Sequence, residues 1–276
     1  MERGREDGSA RTESPEVLVE RRGPCLELRL HRPERLNALT REMGRLLAEA
    51  LRRAGEDPEV RVVTLRGDGR AFCSGGDVAE MHRDIQSGRP SAYFREPLAA
   101  VHAAARAIRE CPKPVVAILH GVAAGAGLNL ALCCDYRIAA EDVRLIQAFT
   151  NIGLAPDTGG SWLLPRLVGL ARATELLFEG RTVDGREAQA IGLVHRAIPV
   201  DRLEEEARLL VERLAARPTR ALGATKALLD AGAFQSFERQ LEQERAVQER
   251  LGEECADYQE GLRAFAEKRP PHFRGA

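Results

Sequence analysis

The sequence predicts an α/β core followed by a C-terminal region that contains only helices. Short apolar runs with strand character alternate with segments of helical period up to about residue 200, and only helical periodicity follows from residue 201 onward. Two glycine-rich turns, at residues 67–77 and 121–127, each follow a strand and precede a helix. Because strands that alternate with helices are typical of an α/β arrangement, the core is placed before residue 200.

The first elements have local signals of their own. Residues 17–21 and 25–30 alternate in polarity on either side of Gly23 and Pro24, which predicts a β-hairpin. Thr40 is a typical N-cap residue and precedes a helical pattern that runs to about residue 54. Further strands are predicted at residues 60–65, 115–119, 136–139 and 194–198. Further helices are predicted at residues 92–109, 129–134, 203–216, 221–229, 237–251 and 255–266.

These patterns divide the chain into three parts. Residues 1–14 are charged, lack apolar periodicity and are expected to form a disordered tail. Residues 15–200 are expected to form the α/β core, and residues 201–276 the C-terminal helical region. The tail has no apolar stretch of the kind found in signal peptides, so neither a secretory signal nor an anchor is expected.

Composition and charge narrow the classes of function. A formal net charge of −1 over 276 residues gives no electrostatic reason to expect nucleic acid or an anionic membrane as a partner. The apolar stretch at residues 114–134 is interrupted by glycines, His120 and Asn129, which is not typical of a transmembrane helix. The six cysteines form no CxxC pair and the six histidines are scattered, so no metal site is expected. We expect a cytoplasmic protein with reduced thiols.

The two glycine-rich turns are the first candidates for a functional site. Small residues at a strand-to-helix turn let a ligand approach the backbone, and the first helical turn presents unpaired N–H groups. Those groups attract an anion, either a phosphate or the oxyanion of an enolate or thioester. The phosphate-binding spacings GxGxxG and GK[ST] are absent in the required context, which favours the oxyanion. If either turn occurred alone, tight packing would be the better explanation of its glycines. Because the two turns occur together, a functional site is favoured.

Several motifs resemble those of the crotonase (enoyl-CoA hydratase/isomerase) superfamily. Residues 32–39 (RPERLNAL), 71–77 (AFCSGGD) and 113–127 resemble its first three motifs in order. Residues 191–194 (IGLV) and 265–270 (FAEKRP) resemble later landmarks. The resemblance covers about residues 16–273 and implies a spiral of repeated β-β-α units with a C-terminal helical trimerisation region. It leaves the reaction open, because this superfamily uses one oxyanion hole for many chemistries.

The resemblance also implies a ligand and a set of contacts. The amide N–H groups of Gly76 and Ala126 would form an oxyanion hole for the carbonyl of an acyl-CoA thioester substrate. Coenzyme A would enter as part of that substrate, with no permanently bound cofactor. The residues expected to contact the coenzyme A ester are Arg35, Ala38, Ser74, Gly75, Asp77, Val78, Ala79, Phe265 and Lys268. The family further implies a homo-oligomer, either a trimer or a dimer of trimers.

The choice of reaction depends on which carboxylate acts. By resemblance, a hydratase of this superfamily uses two glutamates that position one water, but this chain has Asn129 and Phe149 at those places. Neither side chain is a general base. Asp157 remains, among apolar neighbours that would raise its pKa, and a single base of raised pKa suits a 1,3-proton shift. The alternative is that Asp157 caps a helix beginning at Thr158.

A longer string, residues 148–166, resembles the ring-1,2-epoxyphenylacetyl-CoA isomerase subgroup of bacterial phenylacetate breakdown. That subgroup implies an acid/base aspartate at Asp157 and an asparagine at Asn129. We therefore expect an acyl-CoA isomerase; the alternatives are an enoyl-CoA hydratase and a non-catalytic acyl-CoA-binding homologue.

Three more residues are candidates for contact with the acyl group: Asn129, Phe149 and Trp162. For Asn129, satisfying a helix start is an equal alternative, and for a lone aromatic residue a place in the core is the commoner one. Because Asn129 is not the base, an Asn129→Asp change is expected to slow the reaction only modestly.

Overall fold

Nine strands form two sheets within residues 14–276, the part of the chain that the computed structural model describes. The strands are β1 (Val17–Arg22), β2 (Cys25–Leu30), β3 (Val62–Gly67), β4 (Val115–Leu119), β5 (Val122–Ala124), β6 (Tyr136–Ala140), β7 (Arg144–Ile146), β8 (Thr182–Val183) and β9 (Arg196–Ile198). The predicted tail, residues 1–14, lies outside the described residues except for Ser14.

The larger sheet has the strand order β1-β2-β3-β4-β6-β9. Strand β1 is antiparallel to β2, and all the other neighbours are parallel. The smaller sheet has the order β5-β7-β8, with β5 and β7 parallel. Because consecutive strands β4 and β5 belong to different sheets, the chain turns sharply between them, at Gly121.

Eleven α-helices accompany these strands in the described residues. They are α1 (Arg41–Glu56), α2 (Val78–Gln86), α3 (Glu96–Glu110), α4 (Gly125–Leu132), α5 (Gly160–Val168), α6 (Leu170–Glu179), α7 (Gly185–Ala190), α8 (Leu203–Ala215), α9 (Thr219–Gly232), α10 (Phe237–Glu254) and α11 (Ala256–Ala266). The predicted α/β fold, built from β-β-α units and followed by C-terminal helices, is confirmed.

Helices α1 and α3 pack closely against each other. A side-chain carbon added to Gly44 would lie 2.5 Å from the carbonyl carbon of Ala100, so the two helix backbones are in contact there. Leu47 and Leu51 on α1 and Ile108 on α3 are fully buried in the same core. This packing fixes α3 against the core, and α3 in turn contacts the functional site described below.

Several boundaries differ from the predictions for physical reasons. Helix α3 begins at Glu96 rather than at residue 92, because Pro97 lacks an N–H group and is tolerated only in the first helical turn. Strand β5 was predicted as part of a glycine-rich turn, since three residues show no periodicity of their own. Helix α4 begins at Gly125, inside the same predicted turn.

The C-terminal part contains only helices after β9 ends at Ile198. Helix α10 has no buried residue and exposes the side chains of Phe237 and Leu241. Among residues 14–276, no helix is both long enough and apolar enough to cross a membrane. The role of these helices in assembly stays a prediction.

The N-cap of α1 provides a test of the fold. Thr40 Oγ1 accepts a hydrogen bond of 3.0 Å from the Met43 amide and also contacts the Glu16 carboxylate. Thr40→Ala should lower the free energy of unfolding by about 1–2 kcal/mol. In a thermal melt, each kcal/mol of lost stability should lower the melting temperature by about 2–4 °C. Thr40→Ser keeps the cap and is the matched control; equal melting temperatures for Thr40→Ala and wild type would contradict the role of this cap.

Candidate active site

The segment that contains residues 73–76 lies between two other segments and is hydrogen-bonded to both. On one side, the Leu39 amide donates to Gly75 O over 2.7 Å. On the other, the Cys73 amide donates to Val122 O over 3.0 Å, and the Ala124 amide donates to Cys73 O over 2.9 Å. Each side also forms one isolated parallel bridge, between Leu39 and Gly76 and between Cys73 and Ala123. The first, second and third sequence motifs therefore meet through their backbones.

Two glycines permit this close approach. Gly75 has φ +100°, and a side-chain carbon there would lie 2.9 Å from Ala124 O. A side-chain carbon on Gly127 would lie 2.5 Å from the sulfur of Cys73. Any larger residue would push the two turns apart, because neither contact can relax without moving the backbone. Burial raises the pKa of the Cys73 thiol to about 12, so this cysteine is a neutral packing group rather than a nucleophile.

The amides of Gly76 and Ala126 are free to bind a ligand. Gly76 follows the segment paired with β5, and Ala126 lies in the first turn of α4, where amides have no partner within the helix. Neither amide donates a hydrogen bond to any described residue. Two free N–H groups held on adjacent backbone segments form a pair of donors suited to an oxyanion.

Arg32, which the sequence analysis did not single out, engages two residues that were predicted to contact coenzyme A. Its guanidinium donates to Ala38 O over 2.7 Å and to Asp77 Oδ2 over 3.2 Å. The Asp77 carboxylate also caps α2, since Oδ1 accepts from the Glu80 amide over 3.1 Å. Both side chains are buried and the Asp77 carboxylate is bonded within the protein, so contact of these two residues with coenzyme A stays a prediction.

Other residues predicted for the coenzyme A ester lie at an open edge. Arg35 is exposed, and its carbonyl lies 3.4 Å from Ser74 Oγ. Val78 and Ala79 are exposed in the first turn of α2, next to Gly76. This edge combines an accessible guanidinium with small and apolar side chains, which suits the phosphate and pantetheine parts of such an ester.

Phe149, Met81 and Tyr93 surround the two free amides. The Phe149 ring is buried and lies 3.7 Å from the position of a side-chain carbon on Gly125. Met81 and the Tyr93 hydroxyl both lie within 3 Å of the corresponding position on Gly76. Tyr93 was not predicted; burial raises its pKa, so its hydroxyl stays neutral and donates to Leu39 O over 2.9 Å. The space next to Gly76 and Gly125 is therefore lined largely by apolar groups.

Asp157 lies on the loop before α5, partly buried. Burial raises the pKa of its carboxyl group, while the hydrogen bond from the Thr158 hydroxyl acts in the opposite direction. Its Oδ1 accepts from Thr158 Oγ1 over 2.8 Å. Helix α5 begins at Gly160 with Gly159 as N-cap and has no side-chain cap. The alternative that Asp157 caps a helix beginning at Thr158 is therefore wrong.

Asn129 has two hydrogen-bond partners that were not predicted from the sequence. It is fully buried on α4, one turn after Ala126. Its Nδ2 donates to Asp157 O over 2.8 Å, and its Oδ1 accepts from Gln147 Nε2 over 2.9 Å. The nitrogen and the oxygen of the amide each have a partner within the protein, and contact of Asn129 with the acyl group stays a prediction. Asn129 instead ties the main chain of Asp157 to the helix turn that carries Ala126.

The remaining predicted residues lie on α5 and at or just beyond the end of α11. The Trp162 ring stacks on Phe234 with a centroid distance of 5.3 Å, under the Arg166 guanidinium. It lines a cavity of about 330 Å³ with Thr158. Phe265 is 85% exposed at the end of α11, and Lys268 is exposed just beyond it.

Comparisons with known proteins show the family of this chain. The chain matches the family model described as Enoyl-CoA hydratase/isomerase over residues 20–276. It is 43% identical over 249 residues to a Rhodobacter capsulatus protein named "Probable enoyl-CoA hydratase", covering 89% of this chain and 93% of that one. It is 38% identical over 255 residues to the 1,2-epoxyphenylacetyl-CoA isomerase of Escherichia coli, covering 91% and 95%.

A solved structure of an enoyl-CoA hydratase is also similar to this chain. The enoyl-CoA hydratase from a Polaromonas species superposes with a TM-score of 0.88 at 33% identity, covering 93% of this chain and 99% of that one. The chain belongs to the enoyl-CoA hydratase/isomerase family, within the crotonase superfamily.

Proposed function

We propose that the protein is an acyl-CoA isomerase that shifts a double bond, or rearranges a ring-oxygenated acyl group, through an enolate. One observation carries the proposal: Asp157 is a partly buried carboxylate whose main chain is tied by Asn129 to the helix turn that contains Ala126. The likeness to an isomerase at 38% identity supports it. Coenzyme A takes part as the carrier of the acyl group and is not a resident cofactor.

In the proposed double-bond shift, the Asp157 carboxylate removes a proton from the acyl chain, and the electron pair moves to the thioester oxygen. The N–H groups of Gly76 and Ala126 donate to that oxyanion. Loss of one such donor typically costs about 3–4 kcal/mol of transition-state stabilisation. The protonated Asp157 then returns its proton two carbons away, which collapses the dienolate to the isomer and restores the base.

Hydration is the second candidate, because relatives with hydratase names match along most of the chain. It requires a water held between groups that exchange protons with it. Phe149 has no such group, and the Asn129 amide, which bonds to Asp157 O and Gln147 Nε2, is not basic. Asp157 alone remains for this role, which favours isomerisation over addition of water.

We also propose that the active form is a homo-oligomer, a trimer or a dimer of trimers, assembled through the C-terminal helices. Apolar side chains on these helices are left exposed; they are Leu229, Phe234, Phe237, Leu241, Tyr258, Leu262 and Phe265. Covering this much apolar surface favours association. In such an assembly, Phe265 and Lys268 would reach a neighbouring subunit's coenzyme A ester. Light scattering should give a multiple of three chains, and a monomer at micromolar concentration would contradict the proposal.

Replacing Asp157 tests the proposed base. Asp157→Asn should lower the rate about 10²–10⁴-fold, because an amide cannot take the proton. Binding of the coenzyme A ester should persist. The assay compares 3-enoyl, 2-enoyl and ring-oxygenated acyl-CoA esters, and the exposed Asp142→Asn is the matched control. Unchanged turnover in Asp157→Asn would contradict the assignment, and crotonyl-CoA hydration at a rate far above isomerisation would favour the hydratase.

The same variant has a predicted effect on stability. The raised pKa of Asp157 means that the folded state holds the neutral form more firmly than the unfolded state does. Stability from this group is therefore complete at low pH and is lost as the pH rises through the folded-state pKa. Asp157→Asn should melt at or above the wild-type temperature at pH 7, and a clearly lower melting temperature would contradict this account.

The structure changes the expectation for Asn129→Asp. A carboxylate cannot donate to Asp157 O, and it would place a buried charge beside that carbonyl. We now expect a large loss of kcat together with a lower melting temperature, rather than modest slowing. Steady-state kinetics and thermal melts measure both, with Asp142→Asn again as control. A variant with near-wild-type kcat would show that Asn129 does not hold the base.

A further inference from the structure

His102 on α3 makes a long-range contact with the loop that carries the proposed base. Its Nε2 lies 3.2 Å from the backbone nitrogen of Thr158, the residue directly after Asp157. Because an amide N–H can only donate, Nε2 must be the unprotonated acceptor, and the proton of the neutral ring is on Nδ1. The ring is partly buried, and its contact spans 56 positions in sequence.

Thr158 is held in an unusual conformation. Its φ is +50°, in the left-handed region that β-branched residues rarely adopt, and the residue is 1% exposed. Such backbone persists only where the surroundings hold it. The Thr158 amide donates to the His102 ring, and Thr158 Oγ1 donates to Asp157 Oδ1; both hydrogen bonds help to hold this conformation. The orientation of the Asp157 carboxylate therefore depends on the Thr158 backbone.

The surroundings of His102 contain several other titratable groups. The ones that face it or line the same cavity of about 330 Å³ are Asp157, Arg106, Arg109, Glu110 and Cys133. Burial raises the pKa of the Cys133 thiol to about 12, so that group stays neutral. Two of these groups also contact Thr158, the residue that His102 contacts: Asp157 Oδ1 accepts from the Thr158 hydroxyl, and Cys133 Sγ donates to Thr158 O over 3.8 Å.

We propose that His102 is a positioning residue for Asp157: its neutral ring accepts from the Thr158 amide and fixes the strained turn, and protonation of the ring releases that turn. A protonated imidazole has two donors and no acceptor, so it would face the Thr158 N–H with another N–H. It would also place a positive charge near Asp157 and make that carboxylate a weaker base. The inference rests on the proposed role of Asp157.

The consequence is a pH profile with two ionisations. Activity requires Asp157 to be ionised and His102 to be neutral. On the acid side, the slope of log kcat/KM against pH should therefore exceed one and approach two. In His102→Gln, the amide oxygen can accept from Thr158 but cannot be protonated, so the slope should fall to one.

The test combines this profile with a second variant. His102→Leu cannot accept the hydrogen bond and should lose roughly tenfold or more in kcat, with KM changed by less than about threefold. His102→Gln should keep kcat within about threefold of wild type at pH 8. His272→Gln, which removes an exposed histidine far along the chain, is the matched control and should leave both kcat and the slope unchanged.

Three results would overturn the proposal: a wild-type slope of one, the same slope in wild type and His102→Gln, or wild-type kcat in His102→Leu. The wild-type slope needs no variant, so a failure of His102→Leu to fold leaves the test intact. Asp157→Asn in the same assay separates the two hypotheses. Full activity in Asp157→Asn would contradict the role of Asp157 as the base. Loss of activity in Asp157→Asn, together with wild-type behaviour of the His102 variants, would contradict only the role of His102.

Discussion

The site depends on one piece of backbone pairing, in which residues 73–76 lie between Leu39 and strand β5. Hydrogen bonds on both sides set the position of Gly76 relative to Ala126, so the main chain rather than a side chain determines the spacing of the two donors. Such an arrangement needs no reorganisation when charge develops on a bound oxygen. It also requires glycine at position 75, because any side chain there would separate the two segments.

The proposed reaction depends on groups attached to this framework. Asn129 on α4 and His102 on α3 each hold one side of the loop that carries Asp157. Burial of the carboxylate and the left-handed backbone of Thr158 both cost stability, and such costs are typical of functional sites. Burial, which weakens the fold here, would also make Asp157 a stronger base in the proposed reaction.

Much of this could be predicted from local sequence. The β1–β2 hairpin, the Thr40 cap and the glycine-rich turns have signals within a few residues of one another. Strand β5 could not be predicted, because its three residues acquire strand geometry only through pairing with β7. No local pattern in the sequence predicts the contact between His102 and Thr158.

Side-chain roles were predicted less well than the elements. The partners of Asn129 could not be predicted, because a residue type does not reveal that both ends of its amide are bonded within the protein. The contact between Arg32 and the Asp77 carboxylate was likewise not predicted, because it joins segments that are 45 positions apart in the sequence. Such partners are determined by tertiary packing, which neither periodicity nor capping rules describe.

The most direct test of the account is exchange of acyl-chain protons with solvent deuterium, followed by mass spectrometry on a 3-enoyl-CoA ester. We predict that the wild-type protein incorporates deuterium during isomerisation and that Asp157→Asn binds the ester without exchange. Exchange at the wild-type rate in Asp157→Asn would contradict the account, as would a wild-type protein that hydrates 2-enoyl-CoA and exchanges no proton with the 3-enoyl ester.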